Sequence, residues 1–95
     1  MTNNERVSLF ISAIAAVDKL EKQYPNHPPF LSIHNQLQFL LDQVRGNSID
    51  RARTTTINIG QLTVHEVEPV NDTAANLFYL VSAEVKQILL ESESQ

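Results

Sequence analysis

Apolar residues recur at helical spacing in the first part of the chain. Intervals of three and four residues place them on one face of a helix, formed by Val7, Phe10, Ile11, Ile14, Val17 and Leu20. The sequence "TNNE" at residues 2–5 is a capping box, and "YPNHPP" at residues 24–29 breaks the pattern. A first helix is therefore predicted over residues 3–24.

Two further segments repeat this pattern. In the second, Pro28 and Pro29 suit the first turn of a helix and Gly46 suits its end, which predicts a helix over residues 28–46. Its apolar face holds Phe30, Ile33, Leu37, Leu40, Leu41 and Val44. A last helix is predicted over residues 71–91, with an apolar face of Leu77, Phe78, Val81, Val85, Ile88 and Leu89.

Residues 50–68 between these helices allow two interpretations. The stretch "INIGQLTV" at residues 57–64 alternates around Gly60-Gln61, as a β-hairpin with a type II′ turn would. Asp50 is instead a good helix N-cap and Pro69 a good helix stop. A helix here would be apolar on two sides and therefore sandwiched between neighbours. Local sequence leaves helix and hairpin open at residues 54–67.

Composition indicates one globular domain over residues 1–95. Apolar residues make up 42% and charged residues 19%, and there is no cysteine for a disulfide or a thiolate metal site. The apolar run near the N-terminus lacks the flanks of a signal peptide and is too short to span a bilayer. The net charge of −4 disfavours nucleic-acid binding, which needs a basic face. We expect a cytoplasmic protein that binds neither membrane nor nucleic acid.

The sequence contains no recognisable catalytic or metal-binding motif. The three histidines, His27, His34 and His65, lack the spacing of a metal site, and "HEVE" at residues 65–68 lacks the second histidine of a zinc motif. No nucleophile elbow or phosphate-binding glycine loop is present. We therefore expect no enzyme activity, no metal and no cofactor.

Short motifs in a fixed order, from Tyr24 to Tyr79, resemble a known family. They are Gln36-Leu37-Gln38 followed by an aromatic residue, Asp50-Arg51, "INIG" at residues 57–60, "VHEVE" at residues 64–68, and Asp72. In this succession the chain resembles the small immunity proteins of type VI secretion systems that neutralise NAD(P)+ glycohydrolase toxins. The resemblance implies that residues 50–68 are helical, with Gly60 as a packing contact, and hence an all-α, compact four-helix bundle.

The resemblance also implies a function without catalysis. The protein would bind a cognate secreted toxin domain as a 1:1 heterodimer and block its active site, and a homodimer of the free protein is compatible with this. The predicted partner-binding residues are Asp50, Arg51, His65, Glu66, Glu68 and Asp72. The simpler interpretation of the last three is a solvated helix end. The next surface to consider is the polar face of the second helix, around His34, Gln38 and Asp42. The alternative function is a helical adaptor or homodimerisation module without a toxin partner.

Overall fold

The helix start at Thr2 is built as its capping-box sequence predicts. The Thr2 hydroxyl accepts the Glu5 N–H at 3.2 Å, and the Glu5 carboxylate accepts the Thr2 N–H at 2.9 Å. The computed structural model describes residues 1–93 and contains three long helices, α1 (Asn3–Gln23), α2 (Pro28–Arg45) and α5 (Asp72–Glu93). Between α2 and α5 lie two short helices, α3 (Arg51–Thr54) and α4 (Ile59–Leu62), and α4 continues into a π-helical turn, Thr63–Val67.

The all-α class is confirmed, and residues 1–93 contain no strand. The hairpin alternative at residues 54–67 is therefore wrong. The predicted boundaries of the other three helices agree with the observed ones to within one or two residues. The prediction of one unbroken helix over residues 50–68 needs correction, because the chain leaves helical geometry between α3 and α4.

Side-chain hydrogen bonds explain this interruption. The hydroxyls of Thr55 and Thr56 donate to the carbonyls of Ala52 and Arg53, at 2.7 and 2.6 Å, and compete with helical hydrogen bonding. From α2, the Gln36 amide then accepts the Asn58 N–H at 2.9 Å and donates to the Asn58 side chain at 2.7 Å. The Gln36 contact lies 22 residues away in sequence, so a pattern confined to residues 50–68 could not reveal it.

The π-helical turn sets which residues of this region face the core. The Glu68 N–H donates to the Thr63 carbonyl at 2.9 Å, five residues back, which widens the turn. The fully buried residues of this segment recur every four positions and are Ile59, Thr63 and Val67. Val64, by contrast, is half-exposed. The segment thus buries one face, in place of the two apolar sides expected of a regular helix. The Thr63 hydroxyl is satisfied by the Ile59 carbonyl at 2.7 Å.

The core lies between the three long helices, with α4 and the π-helical turn closing it on one side. All six residues of the apolar face predicted for the second helix are buried. α1 and α5 contribute Phe10, Ala13, Val17 and Leu20, and Ala74, Ala75, Phe78, Val81, Val85 and Ile88. Burial of such apolar surface is the main force that holds these elements together.

Charged contacts identify the two ends of the bundle. At one, the Arg6 end, the Arg6 guanidinium at the start of α1 binds Glu84 in the second half of α5 and Glu91 near its end. At the other, the His27 end, His27 before α2 contacts Glu66 in the π-helical turn at 3.1 Å. The 22 residues of α5 separate these ends by about 33 Å.

Candidate partner-binding surface

Two of the predicted contact residues lie at the Arg6 end. The Asp50 carboxylate caps α3 by accepting the Arg53 N–H at 3.1 Å, and its own N–H donates to Gln43 at 2.7 Å. Arg51 extends to Glu93 at 2.6 Å, in an ion pair whose side chains are both exposed. Such exposed pairs contribute little stability. Asp50 and Arg51 therefore combine a local structural role with free access for a partner.

The other four predicted residues lie at the His27 end. His65 and Asp72 are exposed, while Glu66 is paired with His27. The Glu68 carboxylate accepts the Tyr79 hydroxyl at 2.6 Å, and this hydrogen bond raises the pKa of Tyr79 because it favours the protonated phenol. Glu66 and Glu68 are thus already bonded within the chain.

Asp72 is the first residue of α5, but the cap belongs to its neighbour. The Asn71 side chain accepts the Ala74 N–H at 3.0 Å, which is the N-cap contact. The Asp72 carboxylate lies in the first turn, where negative charge favours the helix dipole. The six predicted residues therefore form two groups at opposite ends of α5, and a partner touching both would have to span the bundle.

A concave surface lies between α2 and α3. It consists of two adjoining hollows of about 620 and 410 Å³. Both are lined by Asn35, Phe39 and Arg53. We call the two hollows together the α2–α3 groove. It includes Asp50 from the predicted contact group and Gln38 and Asp42 from the polar face of the second helix.

Arg53 divides this groove. Its guanidinium carbon lies 4.1 Å from the centre of the Phe39 ring, in a cation–π contact. On one side is the larger hollow, the acidic lobe, which contains Asp42 and Asp50. On the other is the smaller hollow, the apolar lobe, which contains Pro28, Leu31 and Ile57. The groove thus presents two different chemical surfaces side by side.

Gln43 lies in the wall of the acidic lobe and is almost fully buried. Its carbonyl oxygen accepts the Asp50 N–H and, at 3.1 Å, the Thr54 hydroxyl. Its amide nitrogen has no hydrogen-bond partner within residues 1–93. A buried donor left in this way costs about 1–3 kcal/mol. Gln43 therefore holds α3 against α2, and its amide nitrogen is buried without a partner in the described chain.

One cluster that the sequence did not reveal lies between α1 and α2. The Nδ1 atom of His34 contacts Glu21 and, at 3.2 Å, Asp18. One nitrogen or oxygen atom from each residue lies within 4.8 Å of the others, an arrangement that could hold a metal ion. Asp18 and Glu21 are three apart on one helix and His34 is on the next, so only the packing of α1 on α2 joins them. The contacts are also those of an ordinary histidine–carboxylate ion pair.

Among residues 1–93, none of the helices combines the length and the apolar character of a membrane-spanning segment. The described residues thus form an all-α bundle with an open groove of mixed polarity. In a comparison with models of protein families, the Tsi6 family model matches residues 5–87 of the chain. The chain therefore belongs to the Tsi6 family, which comprises type VI secretion immunity proteins against NAD(P)+ glycohydrolase toxins. No curated protein and no solved structure gives a significant match.

Proposed function

We propose that this protein binds the NAD(P)+ glycohydrolase domain of a co-inherited toxin in the cytoplasm and blocks its active site. The observation that carries this proposal is membership of the Tsi6 family over nearly the whole chain. Inhibition would be by occlusion, in a 1:1 complex. Occlusion requires shape complementarity and slow dissociation, and needs no chemistry from the inhibitor.

The residues proposed to contact the toxin belong to one of two groups, which lie at opposite ends of α5. Asp50, with Arg51 beside it, lies at the α2–α3 groove, whereas His65, Glu66, Glu68 and Asp72 lie at the His27 end. The group at the His27 end carries three carboxylates, whereas the charges of Asp50 and Arg51 balance each other, and the whole chain has a net charge of −4. Opposite charge on the toxin would accelerate association and help to select the right partner.

Exposed leucines on α5 support the alternative of a homodimerisation module. Leu80 and Leu90 are 58% and 59% exposed, on a helix whose other faces pack into the core. Two such side chains are too few to define an interface by themselves. Light scattering of the purified protein over a range of concentrations tests this alternative, which requires a dimer without any toxin.

Co-expression tests the proposed function directly. A toxin domain encoded beside this protein should deplete cellular NAD when expressed alone, and co-expression should restore both NAD and growth. A catalytically inactive toxin domain is the control for general toxicity. If NAD fell equally with and without this protein, the proposed function would be refuted for that toxin.

A further inference from the structure

We propose that the α2–α3 groove is the surface that receives the toxin, and that its occupant is a protruding toxin loop. That loop would place a basic side chain in the acidic lobe and an apolar side chain in the apolar lobe, one on each side of Arg53. This inference rests on the proposed function and names the surface that performs it.

The groove combines a hollow with carboxylates that no cation of the described chain neutralises. Asp42 accepts a hydrogen bond from the Gln38 amide at 3.0 Å, and Asp50 accepts one from a backbone N–H, but neither is paired with a cation within residues 1–93. At the His27 end, Glu66 is paired with His27, Glu68 accepts the neutral Tyr79 hydroxyl, and Asp72 is exposed. The groove therefore offers two carboxylates free to bind a basic group, without breaking a contact between side-chain charges.

The groove also has features of a binding site beyond its charge. Within residues 1–93, the Gln43 amide nitrogen is buried and unpaired in the wall of the acidic lobe, so an acceptor of the incoming loop would satisfy it only where the wall opens to admit the loop. Leu31, which is 45% exposed, provides apolar surface in the other lobe. Arg53 stands over Phe39 between the lobes, and arginine and aromatic residues are enriched at interfaces.

Matched pairs of variants test this assignment by binding kinetics with the purified toxin domain. Asp42→Lys and Asp72→Lys make the same charge change at exposed positions, in the groove and at the His27 end. Asp42→Lys should weaken affinity by about tenfold or more, chiefly through slower association at low salt. Asp72→Lys should stay within about twofold of wild type after allowance for its net charge.

Leu31→Glu and Leu80→Glu form the second pair, since both side chains are exposed leucines. Leu31→Glu should speed dissociation by about tenfold or more, because a buried apolar contact is lost. Leu80→Glu, on α5, should have little effect. Far-UV circular dichroism and thermal melting establish that each variant is folded.

Amide chemical shifts of the unaltered protein provide a test that needs no variant. On addition of unlabelled toxin domain, the largest changes should occur at Asn35, Gln38, Phe39 and Arg53. Changes concentrated at residues 65–72, or wild-type kinetics for both folded groove variants, would overturn the groove assignment while leaving toxin binding intact. Failure of wild-type protein to bind the toxin domain would instead refute the proposed function.

Discussion

The crossing of α4 over α5 is tight at Gly60, where an added side chain would meet α5. A methyl group added to Gly60 would lie 2.8 Å from Ser82 Oγ and 3.6 Å from Ser82 Cβ. The distance to Ser82 Oγ is too short for an unstrained contact, whereas the distance to Ser82 Cβ is that of an ordinary van der Waals contact. The Ser82 hydroxyl is therefore the specific group that opposes a larger residue at position 60.

Two opposing effects determine the result of Gly60→Ala. Alanine is favoured over glycine in a helix by about 1 kcal/mol, and forcing an extra methyl group into a packed site costs roughly 1–3 kcal/mol. We expect Gly60→Ala to reduce the free energy of unfolding by about 1 kcal/mol. In a Ser82→Ala background the obstacle is absent, so the same substitution should stabilise by up to about 1 kcal/mol.

Urea and thermal unfolding of wild type, both single variants and the double variant measure this coupling. A change of 1 kcal/mol shifts the melting temperature of a domain of this size by about 4–8 °C, which is readily resolved. The cycle should show a coupling energy of about 1–2 kcal/mol. If Gly60→Ala stabilised the protein equally in both backgrounds, the close approach of α4 to α5 would be refuted.

Two further predictions concern the charges at the Arg6 end. Arg6→Leu should destabilise by roughly 3–5 kcal/mol, because the buried Glu84 carboxylate loses its partner, and adding Glu84→Leu should recover most of the loss in urea unfolding. An unchanged midpoint in Arg6→Leu would contradict the buried pair. The hydrogen bond from Arg6 lowers the pKa of Glu91 below its ordinary 4.5. The stability from Glu91 is therefore complete above about pH 4.5 and is lost as pH falls through the lowered folded-state pKa. Glu91→Gln should consequently lose stability less steeply than wild type over that acidic range, and equal slopes would contradict this assignment.

The fold followed from the sequence wherever periodicity and capping agreed. The capping box at Thr2 and the prolines before α2 placed two helix starts, and the apolar spacing placed the core of α2. The conformation of residues 50–68 was harder to predict from the sequence, because it depends on contacts with residues that are distant in sequence. Gln36 fixes the break before α4, and the Ser82 hydroxyl lies close to position 60. Neither contact leaves a signal in the local pattern.

The candidate surface, too, could be predicted from the sequence only in part. The polar face around Gln38 and Asp42 was visible in the sequence as a secondary surface, and Asp50 as a candidate contact. That they line one groove depends on how α3 folds back on α2, through the hydrogen bonds of Gln43. Asp50 and residues 65–72 lie at opposite ends of α5, which their closeness in sequence does not reveal, and their role in binding stays a prediction. The family itself was evident from the motifs and is confirmed.

The proposed function is inhibition of a toxin by stoichiometric occlusion of its active site. Titration of toxin activity tests this proposal most directly. NAD hydrolysis by a fixed concentration of toxin domain, well above the dissociation constant, is measured as this protein is added. Residual activity should fall linearly and reach zero near one equivalent, with no dependence on incubation time once binding is complete. Protection at far below one equivalent that grows with time would show turnover by this protein and contradict occlusion, and so would full toxin activity in the presence of excess protein.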